Sequence, residues 1–91
     1  MSSSEPRIRL SRAAARALAE ELPESVAVAA WEFIRGDLAE QPWRVGKPLR
    51  YEAEGLHSAR RGAYRIIYRI RREPAVVEIL RIAHRGDAYR A

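Results

Sequence analysis

Polar and apolar residues alternate over Arg7-Ile8-Arg9-Leu10, the pattern of a half-buried strand, and Ser11 follows in the position of a helix N-cap. The alanine-rich run from Arg12 to Leu22 has high helix propensity. Ala14 or Ala15 with Leu18 and Leu22 forms an apolar stripe, and Arg16 and Glu20 make an i,i+4 pair on the outside. Pro23 ends that helix. Val26, Ala30, Phe33, Ile34 and Leu38 then recur at helical spacing, which predicts a second helix from about Glu24 to about Glu40 and hence an αα-hairpin with a very short link. Trp31, Phe33 and Trp43 read as core residues. The segment Gln41 to Arg50 holds two prolines and a glycine and follows neither period, so an ordered loop is expected there. Leu56 to Arg61, Ala63 to Arg71 and Val76 to His84 are apolar or alternating runs separated by Gly62 and by Arg72-Glu73-Pro74-Ala75, the spacing of an antiparallel meander. The chain reads βααβββ. This is an α+β fold with a helical hairpin on one face of a small sheet and the other face left open.

The meander sorts the charges. A symmetric turn at Arg72 to Ala75 sets Arg69 opposite Glu78 and Arg65 opposite Ile82, with His84 one diagonal step from Arg65. A first turn at Arg61-Gly62 sets Ser58 opposite Arg65 and adds Arg60. Arg60, Arg65, Arg69, Glu78 and His84 then share the open face, while Tyr64, Ile66, Tyr68 and Ile70 point toward the helices. A slip of one residue would bury Arg65 and Arg69.

Composition fits one small domain spanning residues 1–91, with residues 1–6 flexible: 91 residues, 47% hydrophobic and 32% charged, bury one two-layer core. The absence of cysteine excludes a disulfide scaffold, a cysteine nucleophile and thiolate metal sites, and two histidines are too few for an ordinary zinc site. The opening residues lack the basic and apolar regions of a signal peptide, and no apolar run is long enough to span a bilayer, so a cytoplasmic chain without membrane contact is expected. The net charge of +5 is unevenly placed. Met1 to Trp43 carries five basic and seven acidic residues, Arg44 to Ala91 twelve basic and five acidic. Sixteen of the seventeen basic residues are arginine, whose planar fork binds phosphate bidentately. Composition alone leaves two sources open, a polyanionic partner or an arginine-rich codon usage.

Lys47-Pro48-Leu49, Gly55-Leu56, Ser58 to Tyr68 and Ile82 to Arg90 resemble, in this order, the RelE branch of the RelE/ParE toxin superfamily. Single pieces such as Tyr64-Arg65 are common; the ordered set ending in His84-Arg85 and Asp87-Ala88-Tyr89 is specific, and the likeness covers nearly the whole chain. It implies the toxin of a type II toxin–antitoxin pair. Such a toxin is an endoribonuclease that enters the 30S ribosomal A site and cuts mRNA. The substrate's own 2′-OH attacks the adjacent phosphorus, leaving a 2′,3′-cyclic phosphate and a 5′-OH, with no metal or other cofactor. It also implies a cognate RelB-like antitoxin, through which alone operator DNA is read.

The resemblance assigns roles residue by residue. Arg65 matches the central arginine that clamps phosphate, Arg85 the second arginine, which stabilises transition-state charge, and Tyr89 the tyrosine that stacks on a base or orients the 2′-OH. His84 is open to two readings, an acid or base at neutral pH or a strand-end histidine held to the helix layer. Arg60, Arg61, Ser58, Lys47, Arg50 and Arg69 are candidate RNA-phosphate contacts. One departure stands out: some relatives carry lysines on the strand that here holds Leu56 and Ser58, and this chain has none there. Two alternatives share the basic face, a ParE-like gyrase inhibitor without nuclease activity and a non-catalytic RNA-binding module.

Overall fold

The computed structural model describes residues 7–49, 55–72 and 75–84; Met1 to Pro6, expected to be flexible, lie outside the described residues. Strand β1 (Arg7–Leu10) runs into helix α1 (Arg12–Arg16), which widens into a π-helical turn (Ala17–Glu21) closed by the Leu22 N–H donating to the Ala17 carbonyl at 2.9 Å. Pro23 caps helix α2 (Glu24–Phe33), which widens in the same way over Ile34–Leu38. The two helices fall where the hydrophobic period places them. The stripe of the first is Ala14, Ala17 and Leu22 with Leu18 half-buried, and Ala15 is exposed.

The segment expected to be a loop is more regular. Pro42, preset for a first helical position, opens a one-turn helix α3 (Pro42–Val45), and Lys47–Pro48 form a two-residue strand β2. Strands β3 (Leu56–Arg61), β4 (Tyr64–Arg72) and β5 (Ala75–His84) are the expected meander, and β1 adds to it in parallel beside β5, giving the order β1-β5-β4-β3-β2. The helices cover one face. Ala30, Phe33, Ile34 and Leu38 from α2 and its π turn meet Ala59, Tyr64, Ile66, Tyr68, Val77, Ile79 and Ile82 from the sheet in one core. Each large side chain fully buried there contributes roughly 1.5–3 kcal/mol.

Trp31 and Trp43 are not core residues; they are 40% and 52% exposed. Trp31 borders a shallow apolar groove on the helical side with Leu10, Leu18, Leu22 and Val28. Trp43 packs edge-on against His57, and the Arg72 guanidinium covers its ring at 5.2 Å.

The register differs from the symmetric one at two places. The first hairpin turns at Gly62-Ala63, where Gly62 takes a left-handed φ of +53°, so Arg60 faces Arg65 and Ser58 faces Ile67. In the second hairpin Ile67 pairs with Arg81 but Tyr68 pairs with Ile79, leaving Leu80 as the extra residue of a β-bulge. Arg65 therefore faces Ala83, not Ile82.

Ser11 fastens this bulge. Its hydroxyl accepts from the Ala14 N–H at 3.0 Å, capping α1, and donates to the Leu80 carbonyl at 2.8 Å, while its N–H donates to the Ile79 carbonyl at 2.9 Å. Replacing Ser11 by alanine removes a cap and leaves a part-buried carbonyl unpaired. A loss of about 1–2 kcal/mol in urea unfolding is expected, with Ser11→Thr retaining most of the stability. An unchanged midpoint in Ser11→Ala would show that the hydroxyl does not hold the bulge.

Candidate functional site

Alternation along β4 sends the buried Tyr64, Ile66 and Tyr68 into the helices and Arg65, Ile67, Arg69 and Arg71 to the open face. Strand pairing arranges that face in rows. Lys47, Ser58, Ile67 and Arg81 lie across β2, β3, β4 and β5, and the next row is Arg60, Arg65 and Ala83. Beyond them, on the other side of the first row, Leu56, Arg69, Glu78 and Arg9 form a third row, and Arg71, Val76 and Arg7 a fourth. Among the described residues Glu78 is the sole acidic residue of the sheet, so the face is strongly cationic.

Arg65 is exposed on the central strand β4, one rung from the β3–β4 turn, with Arg60 directly opposite and Lys47 and Ser58 in the next row. These four come together, although Ser58 stands opposite Ile67 and not opposite Arg65 as expected. Arg69 faces Glu78, but the ion pair to Glu78 is made by Arg71, at 3.0 Å, and the Arg69 Nε is buried without a hydrogen-bond partner.

Two of the candidate residues, Arg61 and His84, lie off this face. Arg61 sits opposite Tyr64 and lays its guanidinium over the Phe33 ring at 4.6 Å, on the helical side, where the stacking occupies it. His84 also sits opposite Tyr64: the bulge at Leu80 reverses the alternation, so the histidine is carried to the helix-facing side, away from Arg65. That arrangement matches the second reading of His84, a strand-end residue turned toward the helix layer. Arg50, Arg85 and Tyr89 lie outside the described residues.

Arg81, Arg71, Arg9 and Arg7 reach the open face without having been anticipated. A signal for Arg81 existed. In Glu78-Ile79-Leu80-Arg81 two polar residues stand three apart around two apolar ones, a break in the two-residue period that an inserted bulge residue explains.

The tyrosines of β4 have other work. The Tyr68 hydroxyl donates to the Pro42 carbonyl at 2.8 Å, and that of Tyr64 to the Ala29 carbonyl at 3.3 Å. Burial pushes the Tyr68 phenol up to about 12 and raises that of Tyr64, in each case against a smaller opposing pull from Arg61. Neither can accept a proton near neutral pH. The Tyr68 ring stacks on the buried His57, centroids 5.5 Å apart, and His57 Nδ1 lies 3.1 Å from the Gly55 carbonyl oxygen. Sheet, helices and aromatic stack thus form a rigid support for an open face of guanidinium groups, suited to fixing phosphates rather than enclosing a small molecule.

Residues 8–89 match the family described as ParE toxin of type II toxin-antitoxin system, parDE. Toxin RelG of Mycobacterium tuberculosis (strain ATCC 25618 / H37Rv) is 51% identical over 83 residues, covering 91% of this chain and 94% of that protein. Toxin RelE of the same organism is 49% identical over 83 residues, covering 91% and 84%. Among solved structures, the toxin–antitoxin complex RelBE2 of M. tuberculosis matches with a TM-score of 0.82 and 48% identity over 89% of this chain and 99% of the other. The archaeal RelE–RelB complex of Pyrococcus horikoshii OT3 matches at 0.73 and 28% identity over 96% and 99%. One family match over nearly all of the chain, relatives at about half identity and two complexes with the same fold agree on the assignment: the chain belongs to the RelE/ParE superfamily of type II toxin–antitoxin toxins.

Proposed function

We propose that this toxin is a metal-independent endoribonuclease that acts in the cytoplasm, enters the ribosomal A site and cuts mRNA there, the whole of residues 1–91 working as one unit. The observation that carries the reading is the pair Arg60 and Arg65, like charges set directly opposite on the open face, between β3 and the central strand β4 and one rung from their turn. Such a pair is unfavourable unless a polyanion lies across it. The relatives named RelE and RelG, and not the basic face alone, favour mRNA as that polyanion.

In this reaction the 2′-OH loses its proton as its oxygen bonds to phosphorus, and the bond from phosphorus to the 5′ oxygen breaks with a proton delivered to that oxygen. Negative charge builds on the phosphorane between the two events. Arg65, with Arg60 beside it, holds the phosphate and stabilises that charge; Arg85 adds a further guanidinium, and Tyr89 stacks on a base or aligns the 2′-OH. A guanidinium stays protonated throughout, and His84 faces elsewhere, so this face works by positioning and electrostatics more than by proton transfer. Lys47, Ser58, Arg69 and Arg50 would grip the flanking backbone.

A RelB-like antitoxin is the proposed partner. The two matched complexes contain one, and the groove bordered by Leu10, Leu18, Leu22, Val28 and Trp31 is an exposed apolar surface of the kind that marks a protein contact. Operator DNA is reached only through that antitoxin.

The test is induction of the toxin followed by mapping of 5′ ends on cellular mRNA. The expected result is codon-phased 5′-OH ends confined to translated regions and silenced by co-expressed antitoxin. Intact mRNA with arrested replication would overturn the reading in favour of gyrase inhibition, the alternative that the resemblance to ParE-like toxins carries. RNA bound but left whole would instead indicate a binding module.

A further inference from the structure

The bulge at Leu80 does more than remove His84 from the open face. Because Arg65 pairs with Ala83, its diagonal neighbour two residues back along β5 is Arg81, at a Cβ separation of about 7–8 Å. Without the bulge Arg81, two residues on from the buried Ile79, would share its face and point toward the helices. The extra residue turns it outward, into the row of Lys47, Ser58 and Ile67 that borders Arg60 and Arg65.

Among the described residues nothing needs a guanidinium at this position. Arg81 is exposed, its cross-strand partner Ile67 is apolar, and among the described residues it joins neither of the ion pairs, which are Arg35–Glu32 and Arg71–Glu78. Glu78, the sheet's sole described carboxylate, is already engaged by Arg71. A third cation beside Arg60 and Arg65 adds repulsion and, among the described residues, no ion pair, which is the arrangement expected where phosphates complete the charge balance. We propose that Arg81 is a substrate-binding residue that grips the RNA phosphate next to the one held by Arg65, and that the Ser11-clamped bulge exists to present it. The proposal rests on the ribonuclease reading and adds a residue to its binding track.

The test measures binding of the purified full-length chain to an uncleavable single-stranded RNA fully substituted with 2′-O-methyl, across a series of salt concentrations. Arg81→Gln and Arg81→Ala are compared with Arg81→Lys, with Arg65→Ala, and with Arg16→Ala on the helical side. Arg81→Gln and Arg81→Ala are each expected to bind about five- to tenfold more weakly. The slope of log affinity against log salt should fall by about 0.7, the amount for one phosphate contact to a single strand. Arg81→Lys should keep the slope and Arg16→Ala should change nothing. Thermal unfolding checks that the variants are folded, as exposed substitutions ordinarily are. If Arg65→Ala weakens binding and its slope while both Arg81 variants behave like Arg16→Ala, the inference is overturned and the ribonuclease reading stands. If neither Arg65 nor Arg81 matters, RNA does not cross this face and both fail.

Discussion

Arg65→Ala is expected to lower the rate of mRNA cleavage by about 10²–10³-fold, the usual cost of losing one preorganised group that stabilises transition-state charge, and to relieve growth arrest on induction. Stability should not follow. Arg65 is exposed, pairs with Ala83 and Arg60, and makes no ion pair among the described residues, so its removal relieves a repulsion and leaves no orphaned partner. Arg65→Lys should recover only part of the rate, because a point charge replaces a planar fork. Arg61→Ala supplies the control within the same hairpin. Its guanidinium covers Phe33 on the helical side, so cleavage should persist while stability drops by about 1 kcal/mol. Cleavage rates from translated mRNA together with urea midpoints for the three variants separate the roles; full activity in Arg65→Ala would remove it from the site.

Why the sequence placed Arg65 more firmly than Arg81 is a matter of where strand registers are decided. Tyr64, Ile66 and Tyr68 alternate strictly with Arg65, Ile67 and Arg69, and a buried face fixes that parity locally. The parity of β5 changes midway, at Leu80. What stabilises the change is Ser11, which is 69 positions away in the chain and bonds the Leu80 carbonyl. The N-cap role of Ser11 was visible in its own neighbourhood; its second hydrogen bond depends on β1 pairing in parallel with β5, which no local pattern encodes. His84 was misplaced, and Arg81 overlooked, for this one reason. Arg61 is a different case: with the turn at Gly62-Ala63 it becomes the last residue of β3, and alternation with the outward-facing Arg60 sets it opposite the inward-facing Tyr64. Trp31 and Trp43 show a third limit. Neither lies on a hydrophobic stripe, so only their large apolar side chains suggested the core, and such side chains line an exposed groove or edge as readily.

Gly46→Ala should be the most damaging single methyl on this scaffold. Its backbone is extended, with φ −133° and ψ −175°, so any residue could adopt the conformation and the requirement for glycine is one of space. A Cβ there would collide with the Tyr68 hydroxyl and stand 2.7 Å from the Ser58 carbonyl oxygen and 3.1 Å from its carbon. Neither obstacle yields easily. Ser58 is backbone inside the β2–β3 pairing, opposite Lys47, and the Tyr68 hydroxyl is fixed on the Pro42 carbonyl. Overpacking of this kind costs typically about 1–3 kcal/mol, and with both neighbours held the expected loss is near the upper end, about 3 kcal/mol. A domain of this size has little more to lose. Tyr68→Phe alone should cost about 1 kcal/mol by leaving the Pro42 carbonyl unpaired. In the double variant the alanine methyl meets only Ser58, so the two losses should sum to more than the measured one by about 1 kcal/mol. Urea unfolding of the two single variants and the double one measures that coupling. Strict additivity, or a Gly46→Ala midpoint within error of the parent, would mean that β2 is free to move away from Tyr68. In that case Lys47 would not be held in the row that borders Arg65.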